Sequence, residues 1–391
     1  MTRRELLTLL LTGSVFAQES FKEFLKEELE GFREEKRGFN RYLEEVNREF
    51  EEYKSIVRKE FESFKREILR HWDTFEGTDK KKLVQYSPDF RTKRVFDFEK
   101  GELRVEVSGE VKNLREFVKG EIEEFVKQDK REVFESDQFL RKTEERVRKL
   151  KYIRTGVIER EPVLTPVIFG KESVNPSELK EGVRKLIEEG SFVEKPTGMG
   201  KVGTFTVSIP PEKVLRKARR YKSIVSRESE RWKLEPSLVF AIIHTESYFN
   251  PLATSPVPAY GLMQIVPHSA GKDVTEFLNG RPVILSPSYL YNAENNIKVG
   301  TTYVYMLYYR YFSEVRDPES RLYCTIAAYN TGPGNVARTF TGTTNLGKAV
   351  KVINSLTPKD TYGVLLRNLP YQETKDYLRK VSKRIAVYKN L

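Results

Sequence analysis

The stretch Glu235-Pro236-Ser237-Leu238-Val239-Phe240-Ala241-Ile242-Ile243-His244-Thr245-Glu246-Ser247 is where the reading of this chain is decided. Proline is tolerated in the first turn of a helix, where its missing N–H would have no partner in any case, so Glu235-Pro236 marks a helix start. From Leu238 to Ile243 every residue is apolar, the composition of a buried helix. At its end a carboxylate appears. Ile242 and Ile243 lie four and three residues before Glu246, so they share its helix face and withdraw water from it. A carboxyl group in such surroundings is driven toward its neutral form, which raises its pKa and keeps a proton available near neutral pH. A general acid attacking a glycosidic oxygen needs that property. Taken alone, the same Glu also fits a residue that caps or pairs at the end of a buried helix. His244 falls on another helix face and is expected to be a core or surface histidine.

Upstream, the double proline Pro210-Pro211 is a natural boundary, and the chain before it has a different character. From Phe21 to Trp72 it is saturated with Glu, Lys and Arg. Large apolar residues recur there at Phe39, Leu43, Val46, Phe50, Tyr53 and Val57, in steps of four and three that give a helix one apolar seam. The series continues through Phe61, Phe64 and Ile68 after an extra step of four, which relaxes any left-handed supercoil. Such a seam can zip two chains together, lie on the next domain, or close an intramolecular hairpin bent near Gly31 or Gly38. Glu interleaves with Lys at nearly every turn, so the charge runs are expected to be solvated faces. After Trp72 the period changes to two. Phe96 and Phe98, then Leu103, Val105 and Val107, alternate on either side of Gly101 and predict a β-hairpin. Helical patterns resume over 111–150, and Phe205, Val207 and Ile209 form another alternating run.

The chain has 391 residues, enough for about two or three domains at roughly 100 to 200 residues each. Hydrophobic residues make up 38% and charged residues 32%, too apolar for a wholly disordered chain. The net charge of +12 attracts polyanions of any kind without choosing among them, and a nucleic-acid partner is not expected on charge alone. With the single Cys324 and three His, an internal disulfide is impossible, and no metal site or cofactor is expected. Met1 to Arg4 carries two positive charges, Leu6 to Phe16 is an apolar run, and Val15-Phe16-Ala17 offers small residues where a signal peptidase reads. A cleavable export signal over 1–17 is expected, directing the chain to the periplasm or cell envelope. Arg3-Arg4 suits a twin-arginine signal as well as an ordinary one, and an uncleaved tether or a buried N-terminal helix remain alternatives. No Cys lies near the cleavage point, so no lipoprotein anchor is expected. Beyond this segment no apolar stretch reaches the roughly 18 to 20 residues that span a bilayer.

Downstream of Glu246 come Ser255-Pro256, Tyr260-Gly261-Leu262-Met263-Gln264-Ile265, Ala327-Ala328-Tyr329-Asn330-Thr331-Gly332 and Glu373-Thr374-Lys375-Asp376-Tyr377. With these residues the sequence resembles the lytic murein transglycosylases whose SLT-type catalytic domain has a goose-lysozyme-like fold. Glu246-Ser247 matches the family's catalytic Glu-Ser, Gly261 to Gln264 its Gly-Leu-Met-Gln, and Ala328-Tyr329-Asn330 its Ala-Tyr-Asn. Tyr86-Ser87-Pro88-Asp89-Phe90, Phe96 to Gly101, and Ala270-Gly271-Lys272-Asp273-Val274 are similar to the membrane-bound murein transglycosylase C type. The family often has Gly where this chain has Pro258, so the loop between Ser255 and Gly261 is expected to differ in shape.

The residue patterns predict an α+β N-terminal domain with a long helical start, and the resemblance implies a mainly α lysozyme-like catalytic domain after it. The expected boundaries are 1–17 signal, 18–75 charged amphipathic helices, 76–210 N-terminal domain and 211–391 catalytic domain. It also implies cleavage of the β-1,4 bond between N-acetylmuramic acid and N-acetylglucosamine. Ordinary glycosidases use two carboxylates for such work. Here one acid sits in a convincing setting, which suits a self-assisted reaction: Glu246 acts as acid and then base, and a 1,6-anhydro sugar forms. Tyr329 is expected to hydrogen-bond the Glu246 carboxyl, Gln264 and Asn330 to contact amide or sugar hydroxyls, and Ser255 to orient the acetamido group. Glu373 and Tyr377 are expected to border the groove, with Glu373 the candidate for a second carboxylate. Peptidoglycan strands are the expected partner, with self-association or a wall or membrane contact through the N-terminal helices. A muramidase and an inactive wall-binding scaffold are the alternatives. Tyr303, Tyr305, Tyr308, Tyr309 and Tyr311 either floor a sugar groove or pack the core. Asn292-Ala293-Glu294 and Asn296 are assigned structural roles, and Gly332-Pro333-Gly334 a tight turn.

Overall fold

The computed structural model describes residues 15–198, 200–210, 216, 218–255 and 258–391, in two compact units, 1–53 and 54–391. Most of the expected export signal therefore lies outside the described residues. The long helical start is one helix, Val15–Ile68, of 54 residues. It runs unbroken through Gly31 and Gly38, so the hairpin bend allowed by the sequence is not formed. Each glycine costs a helix roughly 0.5–1 kcal/mol relative to Ala, which the surrounding Glu, Lys, Arg and Leu outweigh. In the first unit Leu25, Leu29 and Phe32, spaced by four and three, are 42%, 53% and 64% exposed.

In the second unit the end of this helix lays its seam on its own chain. Ile68 and Trp72 are buried with Phe90, and Phe64, Phe75 and Tyr86 pack against them. Trp72 Nε1 donates to Phe90 O (2.7 Å), and the Lys93 ammonium lies 4.6 Å from the Trp72 ring. The core of this half is an antiparallel five-stranded sheet in the order Lys82–Tyr86, Thr92–Asp97, Glu102–Ser108, Gly200–Ser208, Ser191–Thr197. Gly101, at φ +66°, makes the predicted hairpin turn. Leu103, Val105 and Val107 are buried while their neighbours are not, as the period of two requires. Thr92–Asp97 is buried on both faces. Its two cations are therefore paired, Lys93 with Glu76 (3.1 Å) and Glu106, and Arg94 with Glu121 (2.6 Å) and Glu124 (3.2 Å). Helices Leu114–Lys127 and Pro176–Glu189 pack on the sheet and on each other.

The second half is mainly helical, so the expected architecture is present. Residues 211–215, just after the expected junction, are outside the described set. The apolar helix starts at Pro236 and ends at Ser247. It packs against Gln372–Tyr388 and Lys222–Trp232, and Gln372–Tyr388 also packs on Pro318–Thr331. A two-residue parallel pairing, Ile153–Arg154 with Ile284–Leu285, ties the chain upstream of the sheet's last strands to the helical half. Among the described residues no helix is long and apolar enough to cross a membrane.

Candidate active site

The site begins at the end of the Pro236–Ser247 helix. Ile242 and Ile243 are fully buried, and Glu246 is only 4% exposed. Tyr248 and Phe249 stop the helix in left-handed conformations, φ +50° and +62°, which cost non-glycine residues roughly 1–2 kcal/mol each. The strain is offset by bonds made there. Tyr248 Oη donates to Glu99 Oε1 (2.6 Å), and Arg384 donates to Tyr248 Oη (2.5 Å) and Thr245 Oγ1 (3.0 Å). Ser247 Oγ donates to Leu262 O (2.8 Å), joining the helix end to the Gly261–Gln264 turn.

That turn depends on its glycine. Gly261 has φ +75°, and a Cβ there would collide with Asn296 Nδ2 and lie 2.5 Å from Leu290 O. Asn296, fully buried, accepts from Met263 N (2.8 Å) and donates to Tyr260 O (2.8 Å) and Leu290 O (2.7 Å). Its structural assignment is therefore apt. Gln264, φ +50°, donates through Nε2 to Ala253 O and Gly261 O (3.0 Å each), leaving its buried Oε1 without a partner.

Tyr329 approaches from the Pro318–Thr331 helix. Its hydroxyl donates to Met263 O (2.8 Å), not to the Glu246 carboxyl as the sequence suggested, so it braces the turn while lying close enough to feel the charge on Glu246. Asn330 accepts from Thr374 Oγ1 (2.7 Å), which links this helix to Gln372–Tyr388. The hydroxyl beside Glu246 is that of Tyr377, 5% exposed and close enough to favour the charged form of the carboxyl. Burial, with the Glu246 charge, pushes both tyrosines well above their ordinary pKa, so both keep their protons.

Sequence reasoning missed Lys80. Its ammonium lies 3.5 Å from Glu246 Oε2 and 3.4 Å from Glu373 Oε1, bridging the buried acid and a carboxylate 73% exposed in its side chain. No local pattern marks Lys80 out of the Lys80-Lys81-Lys82 run, whose other two members pair with Glu99 and Glu76. Burial pushes the Glu246 pKa up, and Glu373 adds to the rise. Lys80 and the Tyr377 hydroxyl pull it down without cancelling it, so the carboxyl titrates above its ordinary 4.5. Burial works against the charge on Lys80, but the two carboxylates outweigh it and hold its pKa above the ordinary value. His244 takes no part: burial, helped by Arg384, lowers its pKa to about 3, and its Nδ1 lies 2.9 Å from Tyr388 Oη.

Ser255 lies in the loop before the Tyr260–Gln264 segment. Its hydroxyl accepts from Ala259 N (3.3 Å), and it lines a cavity of about 600 Å³ walled by Phe61, Phe64, Phe75 and Phe139, whose lining does not include Glu246. Two members of the tyrosine stripe pack on other rings, Tyr303 5.7 Å from Tyr329 and Tyr305 4.4 Å from Trp232, while Tyr309 is exposed. Gly332, φ +84°, makes the turn between two helices, and Glu294 pairs with Arg227 (2.7 Å). Among the described residues no group of three or more His, Cys, Asp or Glu is arranged to hold a metal.

Residues 223–352 match the family described as Transglycosylase SLT domain, a range that contains Glu246, Gln264, Tyr329 and Asn330. The chain is 38% identical over 198 residues to membrane-bound lytic murein transglycosylase C of Serratia proteamaculans, covering 50% of this chain and 54% of that protein. It is 39% identical over 191 residues to the protein of that name from Pectobacterium atrosepticum, covering 48% and 52%. The chain thus spans about half the length of these curated relatives. Among solved structures, lytic transglycosylase Slt of Pseudomonas aeruginosa aligns at 27% identity with a TM-score of 0.34, covering 44% of this chain and 24% of that one.

Proposed function

With residues 223–352 carrying the transglycosylase SLT domain, we propose that the chain is a lytic transglycosylase of peptidoglycan, working in the periplasm or cell envelope. It cleaves the β-1,4 bond between N-acetylmuramic acid and N-acetylglucosamine. The observation that carries this reading is Glu246, a 4% exposed carboxyl at the end of an apolar helix, held toward its neutral form. In that form it gives its proton to the glycosidic oxygen as the C1–O bond breaks, and the electron pair leaves with the N-acetylglucosamine 4-oxygen. The muramyl acetamido oxygen stabilises C1. Glu246, now a carboxylate, takes the proton of the C6 hydroxyl as that oxygen closes on C1, and a 1,6-anhydro sugar forms with no water consumed. The second carboxylate that a hydrolase needs as nucleophile or base is not favoured, since Glu373 is largely exposed and engaged by Lys80. Tyr377 supplies a hydroxyl to the carboxyl, Tyr329 braces the Gly261–Gln264 turn, and Gln264 and Asn330 serve as contacts for amide or sugar hydroxyl groups.

Digestion of purified sacculi tests this by mass. Released muropeptides are expected to end in anhydro sugars, one water lighter than hydrolysed ends, and Glu246→Gln is expected to release almost none. Hydrated ends would make the chain a muramidase. Release by Glu246→Gln at the unsubstituted rate would place the chemistry elsewhere.

A further inference from the structure

The cation at the acid does not come from the helical half. Lys80 belongs to the loop that leads into the first strand of the sheet, and three sets of bonds build that loop in place. Asp79 Oδ1 accepts from Lys81 N and Lys82 N (2.7 Å each), an Asx turn that fixes the backbone around Lys80. Thr78 Oγ1 accepts from Val84 N (3.0 Å) and donates to Val84 O (3.1 Å). From the other side Thr254 N donates to Asp79 O (3.4 Å) and Asn250 Nδ2 to Lys82 O (3.5 Å). The loop is thus anchored to the segment just after the acid helix. Lys81 and Lys82 turn to other partners, and Lys80 alone of the three points at Glu246.

We propose that Lys80 is a positioning residue, supplied by the sheet-bearing half, whose ammonium holds the Glu246 carboxyl in place and stabilises the carboxylate left after proton transfer. The inference rests on the lytic transglycosylase reading and deepens it. A buried acid with only apolar neighbours keeps its proton too well. A fixed positive charge at 3.5 Å makes the proton easier to give, because the charge appearing on Glu246 meets a partner already in place. Lys80 exchanges no proton in the step. The other groups facing Glu246 are Tyr377 and Glu373 from the C-terminal helix and Tyr329 from the Pro318–Thr331 helix. None of them is a cation, so no other group in that set replaces the charge on Lys80.

The test uses the full chain on sacculi, with Lys80→Met, Lys80→Arg and each combined with Glu246→Gln. Lys80→Met is expected to lower kcat about tenfold, roughly the worth of one contact to a charged group, with KM little changed. The alkaline limb of its pH–rate profile should move to higher pH, because an acid without its counter-charge ionises later. Lys80→Arg should keep both the rate and the limb. In the Glu246→Gln background Lys80→Met should cost nothing further, as expected for a residue that acts through the acid. A Lys80→Met enzyme with an unmoved limb overturns the proposal. So does one faster at every pH, which would make the bridge an inhibitory strap. Neither result touches the lytic transglycosylase reading, which stands or falls on anhydro ends and on Glu246→Gln.

Discussion

In the proposed reaction Glu246 holds a proton before the glycosidic bond breaks and is rid of it afterwards, and its neighbours divide between those two demands. Ile242, Ile243 and the surrounding burial favour the protonated form. Lys80 and Tyr377 favour the ionised one. Activity is therefore expected to fall as pH rises through a value above 4.5, read as the alkaline limb of kcat/KM. Stability is tied to the same group. Its folded pKa is raised, so the stability linked to its proton is fully present below the unfolded pKa and lost as pH climbs through the folded one. Glu246→Gln, which mimics the protonated form, should raise the melting temperature at neutral pH, and the gain should vanish at acid pH. Tyr377→Phe removes the buried hydroxyl beside the Glu246 carboxyl. The rate on sacculi is expected to drop and the alkaline limb to move up, because the carboxylate loses a group that favours it.

At the scale of elements, the turn after the acid helix is where local conformation and long-range packing meet. Gly261→Ala would push a Cβ into Asn296 and Leu290 O at a backbone angle that disfavours side chains. It should cost at least about 1–2 kcal/mol in urea unfolding and reduce activity too, since Met263 O, the acceptor of Tyr329, sits in the same turn. The long first helix behaves oppositely. Gly31 and Gly38 have nothing within 4 Å of an added Cβ, so replacing either by Ala should stabilise the helix by roughly 0.5–1 kcal/mol, seen as increased helical signal on heating.

At the scale of the whole molecule, the sheet and the helical half of the second unit are joined by specific bonds around the site. Glu99, in the turn between two strands, accepts from Tyr248, which accepts from Arg384 near the C-terminus. Tyr248→Phe loses both bonds and should lower stability by about 1–2 kcal/mol, measured by denaturant unfolding, since its neighbours are charged. The Glu-Ser, Gly-Leu-Met-Gln and Ala-Tyr-Asn segments, the apolar helix and the Gly101 hairpin were all legible in the sequence. Each is a matter of residue type at short spacing, and helix and strand periodicities are set within a few residues. The partner of Tyr329, the aromatic cavity that Ser255 lines, the unbroken first helix and the lysine beside Glu246 were not. Each depends on which distant surface a side chain meets: Met263 O for Tyr329, the aromatic walls for Ser255, Glu246 and Glu373 for Lys80. The three lysines of residues 80–82 look alike along the chain, and only the packing of the loop against residues 250–254 puts one of them within ion-pair reach of a buried carboxyl. Charge acts through space at a few ångströms, so the electrostatic setting of the Glu246 carboxyl was decided by the tertiary structure, while its place at the end of an apolar helix was already written in the sequence.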